Sequence, residues 1–180
     1  IGYNTDGVGF RRASMELGLP HRPVRTVLLG AGGAARAVGW EATRTPGSVL
    51  TIANRHLARA QRLARWLTWL HPKATVRAVS LDGVTVDEAN LVVNATTVGM
   101  QAADRCPIDP AMLTPRVRVY DLVYQRETAL VRAARRRGCV AANGQSMLLY
   151  QGAESFRLWC HRQPPLEAMR RALAEALKRR

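Results

Sequence analysis

Short apolar runs alternate along this chain with longer stretches in which apolar residues recur every three or four positions. Residues 24–29, VRTVLL, form a near-continuous apolar run that stops at Gly30, as a strand buried on both faces would. From Ala34 to about Thr45 the spacing becomes helical, and TPG ends it. VLTIA, 49–53, predicts a second strand. HLARAQRLARWLTWL, 56–70, places Leu57, Ala60, Leu63, Ala64, Leu67 and Leu70 on one helical face. Further strands are predicted at ATVRAV (74–79), LVVNA (91–95), VRVYDLVY (117–124) and CVAAN (139–143). ETALVRAARRRG, 127–138, reads as a helix stopped by glycine, and two more helices near 146–160 and 165–179 flank QPP. Strands alternating with helices imply an α/β fold with a mostly parallel sheet of six strands and helices on both faces. Right-handed crossovers then favour the doubly wound (Rossmann) arrangement.

The segment GAGGAA, 30–35, follows the first strand and opens a helix. It fits G-x-G-x-x-A with Gly30, Gly32 and Ala35 at the three key places. Gly30 permits the tight turn, Gly32 lets a diphosphate approach the backbone, and Ala35 allows close helix–strand packing. The phosphates would then sit at a helix N-terminus, where free N–H groups and the dipole favour negative charge. The alternative is a purely structural glycine-rich turn. At the end of the second strand an NAD site usually carries an acid for the ribose hydroxyl. Here Asn54 and Arg55 stand in that place and Arg59 lies one helical turn on. Two guanidinium groups would clasp a 2′-phosphate, so the expected cofactor is NADP. The competing reading is that both arginines are solvated surface residues of an arginine-rich chain.

Composition adds little to this picture and removes some alternatives. The 180 residues suffice for one domain with a core, and no apolar run approaches bilayer length. The net charge of +14 invites a nucleic-acid reading, but the arginines are spread along the chain rather than gathered in a block. No specific nucleic acid and no membrane partner are expected. Cys106, Cys139 and Cys160 share no metal-ligand spacing with the histidines, so no metal is expected. Buried or half-buried free thiols in a reducing cytoplasm are the expected state.

GYNTDGVGF, LLGAGGAARAV, ANRHLARA, VVNATTVGM, YDLVY and NGQSMLLYQGAESFRLW occur in the order found in shikimate dehydrogenase. The sequence resembles the C-terminal, NADP-binding part of that family over nearly all of its length. The resemblance implies reversible, NADP-dependent reduction of 3-dehydroshikimate to shikimate, on the way to chorismate and the aromatic amino acids. It implies that Asp6 is the catalytic aspartate that contacts substrate hydroxyls, with Tyr124 and Gln151 also on substrate. It places Gly30 to Ala34, Asn54, Arg55 and Arg59 at NADP, and Leu122 and Gly144 near the nicotinamide. NATTVGM, 94–100, would line the same crevice. Taken singly, Asp6 is also a good helix cap, Tyr124 an ordinary strand tyrosine and Gln151 a solvated helix residue. Met147, Phe156 and Trp159 read as core rather than contacts.

The chain departs from the family in two places. YQRET after Tyr124 is one residue shorter than the usual Tyr-x-Pro-x-x-Thr and lacks the proline, and His56 replaces a threonine. The resemblance also implies a preceding substrate domain that holds a serine pair and a catalytic lysine. The chain begins IGYNTDGVGF, as the interior of a longer protein would, and neither Lys73 nor Lys178 sits in a matching motif. We therefore expect an NADP-binding domain over 1–160, a linker and helix over 161–180, and little turnover from the chain alone. The alternatives are a quinate/shikimate paralogue and a non-catalytic NADP-binding or basic interaction module. A homodimer is the assembly left open.

Overall fold

The computed structural model describes residues 2–19 and 23–178. Ile1, Arg179 and Arg180, at the ends of the two expected segments, lie outside the described residues. Among the described residues six strands, β1 Arg25–Leu29, β2 Val49–Asn54, β3 Thr75–Ser80, β4 Leu91–Asn94, β5 Arg118–Asp121 and β6 Ala141–Asn143, form one sheet. Every pairing is parallel and the spatial order is β3-β2-β1-β4-β5-β6. That is the doubly wound order, with the reversal between β1 and β4. Six α-helices of the described residues accompany the sheet: α1 Asp6–Glu16, α2 Gly33–Thr43, α3 Leu57–Leu70, α4 Ala129–Arg136, α5 Gln145–Cys160 and α6 Leu166–Lys178.

Alternation along the central strands splits the core in two. Leu28, Leu50, Ile52 and Val93 point into a cluster with Phe10 of α1, Val38 of α2, Leu67 of α3 and Met147 of α5. Val27, Leu29, Val92 and Val119 point the other way, onto Leu130 and Ala134 of α4 and the loop residues Val86, Ile108 and Leu113. Central strands covered on both faces must be apolar at every position, which is why they read as unbroken runs.

Three expectations shift. The fifth strand ends at Asp121 rather than at Tyr124, because the Asp121 carboxylate accepts the Val123 N–H at 3.0 Å and turns the chain out of the ladder. The sixth begins at Ala141, since the Cys139 N–H is spent on the end of α4, donating to Ala134 O at 2.9 Å. Trp159 is not core: it is 81% exposed near the end of α5, and neighbouring Cys160 is exposed as well. Cys106 is half-buried and Cys139 buried, as expected. Of α6 no described residue is buried, and it rests on α5, with the Met169 side chain over Gly152. Among the described residues no helix is long and apolar enough to cross a membrane.

Candidate functional site

The turn between β1 and α2 is bare for two different reasons. Gly30 has φ +105°, and a Cβ there would lie 2.8 Å from the Ala95 carbonyl oxygen of the neighbouring strand end. The fold itself demands this glycine. Gly32, the residue before α2, has φ −90° and nothing within 4 Å of a Cβ, and Gly33 is equally open. Packing within the chain gives no reason for glycine at either position. Both are exposed, and the first N–H groups of a helix start there without intrahelical partners. Ala35 is fully buried between helix and sheet.

Two depressions share this turn. A cleft of about 1150 Å³, open mouth included, runs from Gly32, Gly33 and Ala34 across Ala95, Thr96 and Thr97 to Leu122, Tyr124 and Gly144. Asp6 at the start of α1 and Gln151 on α5 line it too, as does Met147, which is both core and wall. A groove of about 820 Å³ lies on the other side of the turn, between Ala31, Gly32 and Gly33 and the side chains of Arg36, Arg59 and Arg62.

The sequence-predicted residues fall into these two places with three exceptions. Asp6, Tyr124, Gln151, Leu122, Gly144 and Gly32 to Ala34 share the cleft, and Ala31 and Arg59 share the groove. Gly30 is buried beneath the turn. Asn54 spends its amide N–H₂ on the His56 carbonyl at 2.9 Å, closing the turn into α3. Arg55 is exposed at that turn and lines neither depression. Asp6 does not act as a helix cap. It is the first residue of α1, and its backbone N–H is held at 2.9 Å by the Asn4 side chain. That leaves its carboxylate for the cleft.

The cleft floor rests on a buried polar network that the sequence reading missed. Asn94 and Asp121, at the ends of β4 and β5, are both fully buried, and the Asn94 amide donates to Asp121 at 2.9 Å. Thr128 donates to the other carboxylate oxygen at 2.6 Å and accepts from Val131 N–H, capping α4. Asn94 also accepts from the Thr96 hydroxyl at 2.7 Å and donates to Val98 O at 2.9 Å, so it folds the NATTVGM loop. Burial pushes the Asp121 carboxyl above its ordinary acidity range, against the opposing pull of its three donors. The shortened YQRET loop is thus anchored at its end by Thr128. Gly144 is dictated by the same floor: a Cβ would fall 2.1 Å from the Leu122 carbonyl oxygen.

Arg36 and Arg62 were also missed. In a chain with so many arginines neither stands out, although Arg62 follows Arg59 by one helical turn on α3. Among the described residues no group of three or more histidines, cysteines or carboxylates could hold a metal ion.

Comparison with known proteins bears on this arrangement. A family model described as the Shikimate 5'-dehydrogenase C-terminal domain matches residues 144–174. A shikimate dehydrogenase (NADP(+)) of Moorella thermoacetica is 43% identical over 98% of this chain and 61% of its own length. Residues 144–174 match that domain, and over 98% of its length the chain is similar to shikimate dehydrogenases. Solved shikimate dehydrogenases superpose on nearly all of the chain. One in complex with NADP+ has a TM-score of 0.91 at 34% identity, covering 98% of this chain and 63% of that one. That of Thermus thermophilus, in complex with NADP(H) and shikimate, has a TM-score of 0.84 at 35% identity, covering 97% and 63%. The chain therefore spans about three-fifths of the length of these relatives.

Proposed function

We propose that this chain is the dinucleotide-binding part of an NADP-dependent shikimate dehydrogenase, an enzyme that interconverts 3-dehydroshikimate and shikimate. The observation that carries the reading is the meeting of Asp6, Tyr124 and Gln151 with the Gly32–Ala34 turn in one cleft. Those side chains come from three distant parts of the chain, and the fold brings them to one wall of the glycine turn. The open space above Gly32 and Gly33, which no packing requires, fits a diphosphate held by the α2 N-terminus. The arginine-lined groove beside it fits the extra phosphate of NADP.

NADPH supplies a hydride when bound; this chain's residues position and hold. Tyr124 and Gln151 offer hydrogen bonds to the polyhydroxylated ring. Asp6 accepts from substrate hydroxyls and, as a carboxylate, cannot itself donate the proton that a reduced ketone oxygen needs. The family's lysine would be that partner, and neither Lys73 nor Lys178 lines the cleft. The domain assignment follows: 1–160 binds the nucleotide and 161–180 is a linker and helix. A cytoplasmic protein and a homodimer belong to the same reading.

Titration of the 180-residue chain with NADP+, NAD+ and shikimate tests it. We expect saturable NADP+ binding tighter than NAD+, and no measurable shikimate-dependent NADPH formation. Equal affinity for the two nucleotides would overturn the cofactor assignment. A measurable rate from the isolated chain would overturn the incompleteness of the site.

A further inference from the structure

Three guanidinium groups and no acid line the groove beside the glycine turn, among the described residues. Arg59 and Arg62 project from one face of α3, and Arg36 reaches the same space from the first turns of α2. Arg36 is held in place, its guanidinium carbon 5.1 Å from the centroid of the Trp66 ring. Among the described residues none of the three has a carboxylate oxygen within 4.0 Å, whereas Arg11, Arg25, Arg44, Arg135, Arg157 and Arg170 do. Three like charges converging on one open groove repel each other, and an anion with several oxygens relieves that repulsion. Arg55, at the turn into α3, does not line the groove.

We propose that Arg62 is a specificity-determining residue, joining Arg59 and the Trp66-braced Arg36 in a three-arginine clamp on the phosphomonoester of the phosphorylated dinucleotide. The inference rests on the NADP reading of the site and goes beyond it. It assigns discrimination to two arginines outside the glycine and Asn-Arg motifs, and it gives Arg55 a lesser part. Gly32 and Gly33 line the groove as well as the cleft, so their backbone N–H groups serve the diphosphate and the arginine side chains across the groove serve the monoester.

The test compares the unaltered chain with Arg62→Gln, Arg36→Gln and Arg55→Gln, using NADP+ and NAD+ as probes and thermal melting of the free chains as a fold control. Arg62→Gln and Arg36→Gln are expected to weaken NADP+ binding about tenfold or more, the range for lost charge-assisted hydrogen bonds, and to leave NAD+ binding unchanged. Arg55→Gln is expected to change NADP+ affinity less than either. Free Arg62→Gln should melt no lower than the unaltered chain, since it loses repulsion and no partner. Its NADP+ affinity should also fall less steeply with added salt. A chain that prefers NADP+ but loses nothing on Arg62→Gln leaves the NADP reading standing and overturns the clamp. A chain that binds neither nucleotide overturns both.

Discussion

The amide of Asn94 donates to the carboxylate of Asp121 at 2.9 Å, with both side chains fully buried at the ends of adjacent strands. This pair joins the loop after β4 to the loop after β5, and those loops carry Thr96, Leu122 and Tyr124 into the cleft. Removing the carboxylate orphans three donors at once: the Asn94 amide, the Val123 N–H and the Thr128 hydroxyl. Asp121→Ala is expected to cost about 3 kcal/mol, a fall of roughly 10 °C in melting temperature. Thr128→Ala should cost less, because Asp121 keeps two of its donors. Calorimetry of the two variants checks the order.

The same carboxylate gives the chain a pH signature. Burial raises the Asp121 carboxyl above its ordinary 3.8, so the folded chain holds that proton more tightly than the unfolded one. The contribution to stability is then fullest below pH 3.8 and is lost as pH rises through the raised folded value. Asp121→Asn has no such proton. The stability of the unaltered chain relative to Asp121→Asn should therefore decline as pH is raised through that window. Paired urea titrations across it would show this, and a difference that grows with pH would refute it.

Gly30 and Gly32, two residues apart, should respond oppositely to alanine. Gly30→Ala forces a positive φ and a 2.8 Å approach to the Ala95 oxygen, so it should cost about 2 kcal/mol or more of stability. Gly32→Ala meets nothing and has an ordinary φ, so its stability should stay within about 0.5 kcal/mol of the unaltered chain. Its loss should show in NADP+ affinity instead, since the new methyl occupies the space a diphosphate needs. Melting curves and nucleotide titration of both variants separate the two roles.

What the sequence revealed and concealed follows the same division. The strands were legible because a doubly covered sheet needs apolar residues at every central position, and Leu28, Ile52 and Val93 obey that rule. Gly30 and Ala35 were legible because a turn and a helix contact each demand a residue type. Asn94 and Asp121 were not, because the predicted strands 91–95 and 117–124 run through both and the pattern along one strand names no partner for a polar side chain. Only the partner across the sheet, 27 positions away, makes it core. Trp159 misled for the converse reason: helical spacing identifies a face but not what covers it. Arg62 was hidden by abundance, as one arginine among many carries no contrast.

Tyr120 links the sheet to the helix that bears Gln151. Its buried hydroxyl accepts the Met147 N–H at 3.1 Å, one of the donors the first turn of α5 cannot satisfy internally. Its ring meets Phe10 of α1 edge-on, with centroids 5.8 Å apart. Tyr120→Phe keeps the ring contact and orphans the N–H, and is expected to cost about 1–2 kcal/mol. Hydrogen exchange should then speed up at Met147 in particular. Unchanged protection at that amide would argue that the hydroxyl contributes nothing.

Asp6 and Gln151 face the same cleft because α1 crosses α5 closely, and Gly9 sets how closely. A Cβ on Gly9 would lie 2.7 Å from the Met147 carbonyl oxygen and 3.0 Å from the Gln151 backbone nitrogen. Both are backbone atoms, so the helices must part. Gly7, half a turn earlier, is a fair control. Its Cβ would first meet the Glu41 carboxylate at 3.2 Å, the far end of a flexible side chain that can move aside. Gly9→Ala should cost about 2 kcal/mol by overpacking, while Gly7→Ala should cost well under half of that. Parting the helices also moves Asp6 relative to Gln151, so Gly9→Ala, unlike Gly7→Ala, should shift the NMR signals of both residues and leave NADP+ affinity near its starting value. Equal losses from the two glycines would mean that general helix packing, rather than this crossing, positions the aspartate.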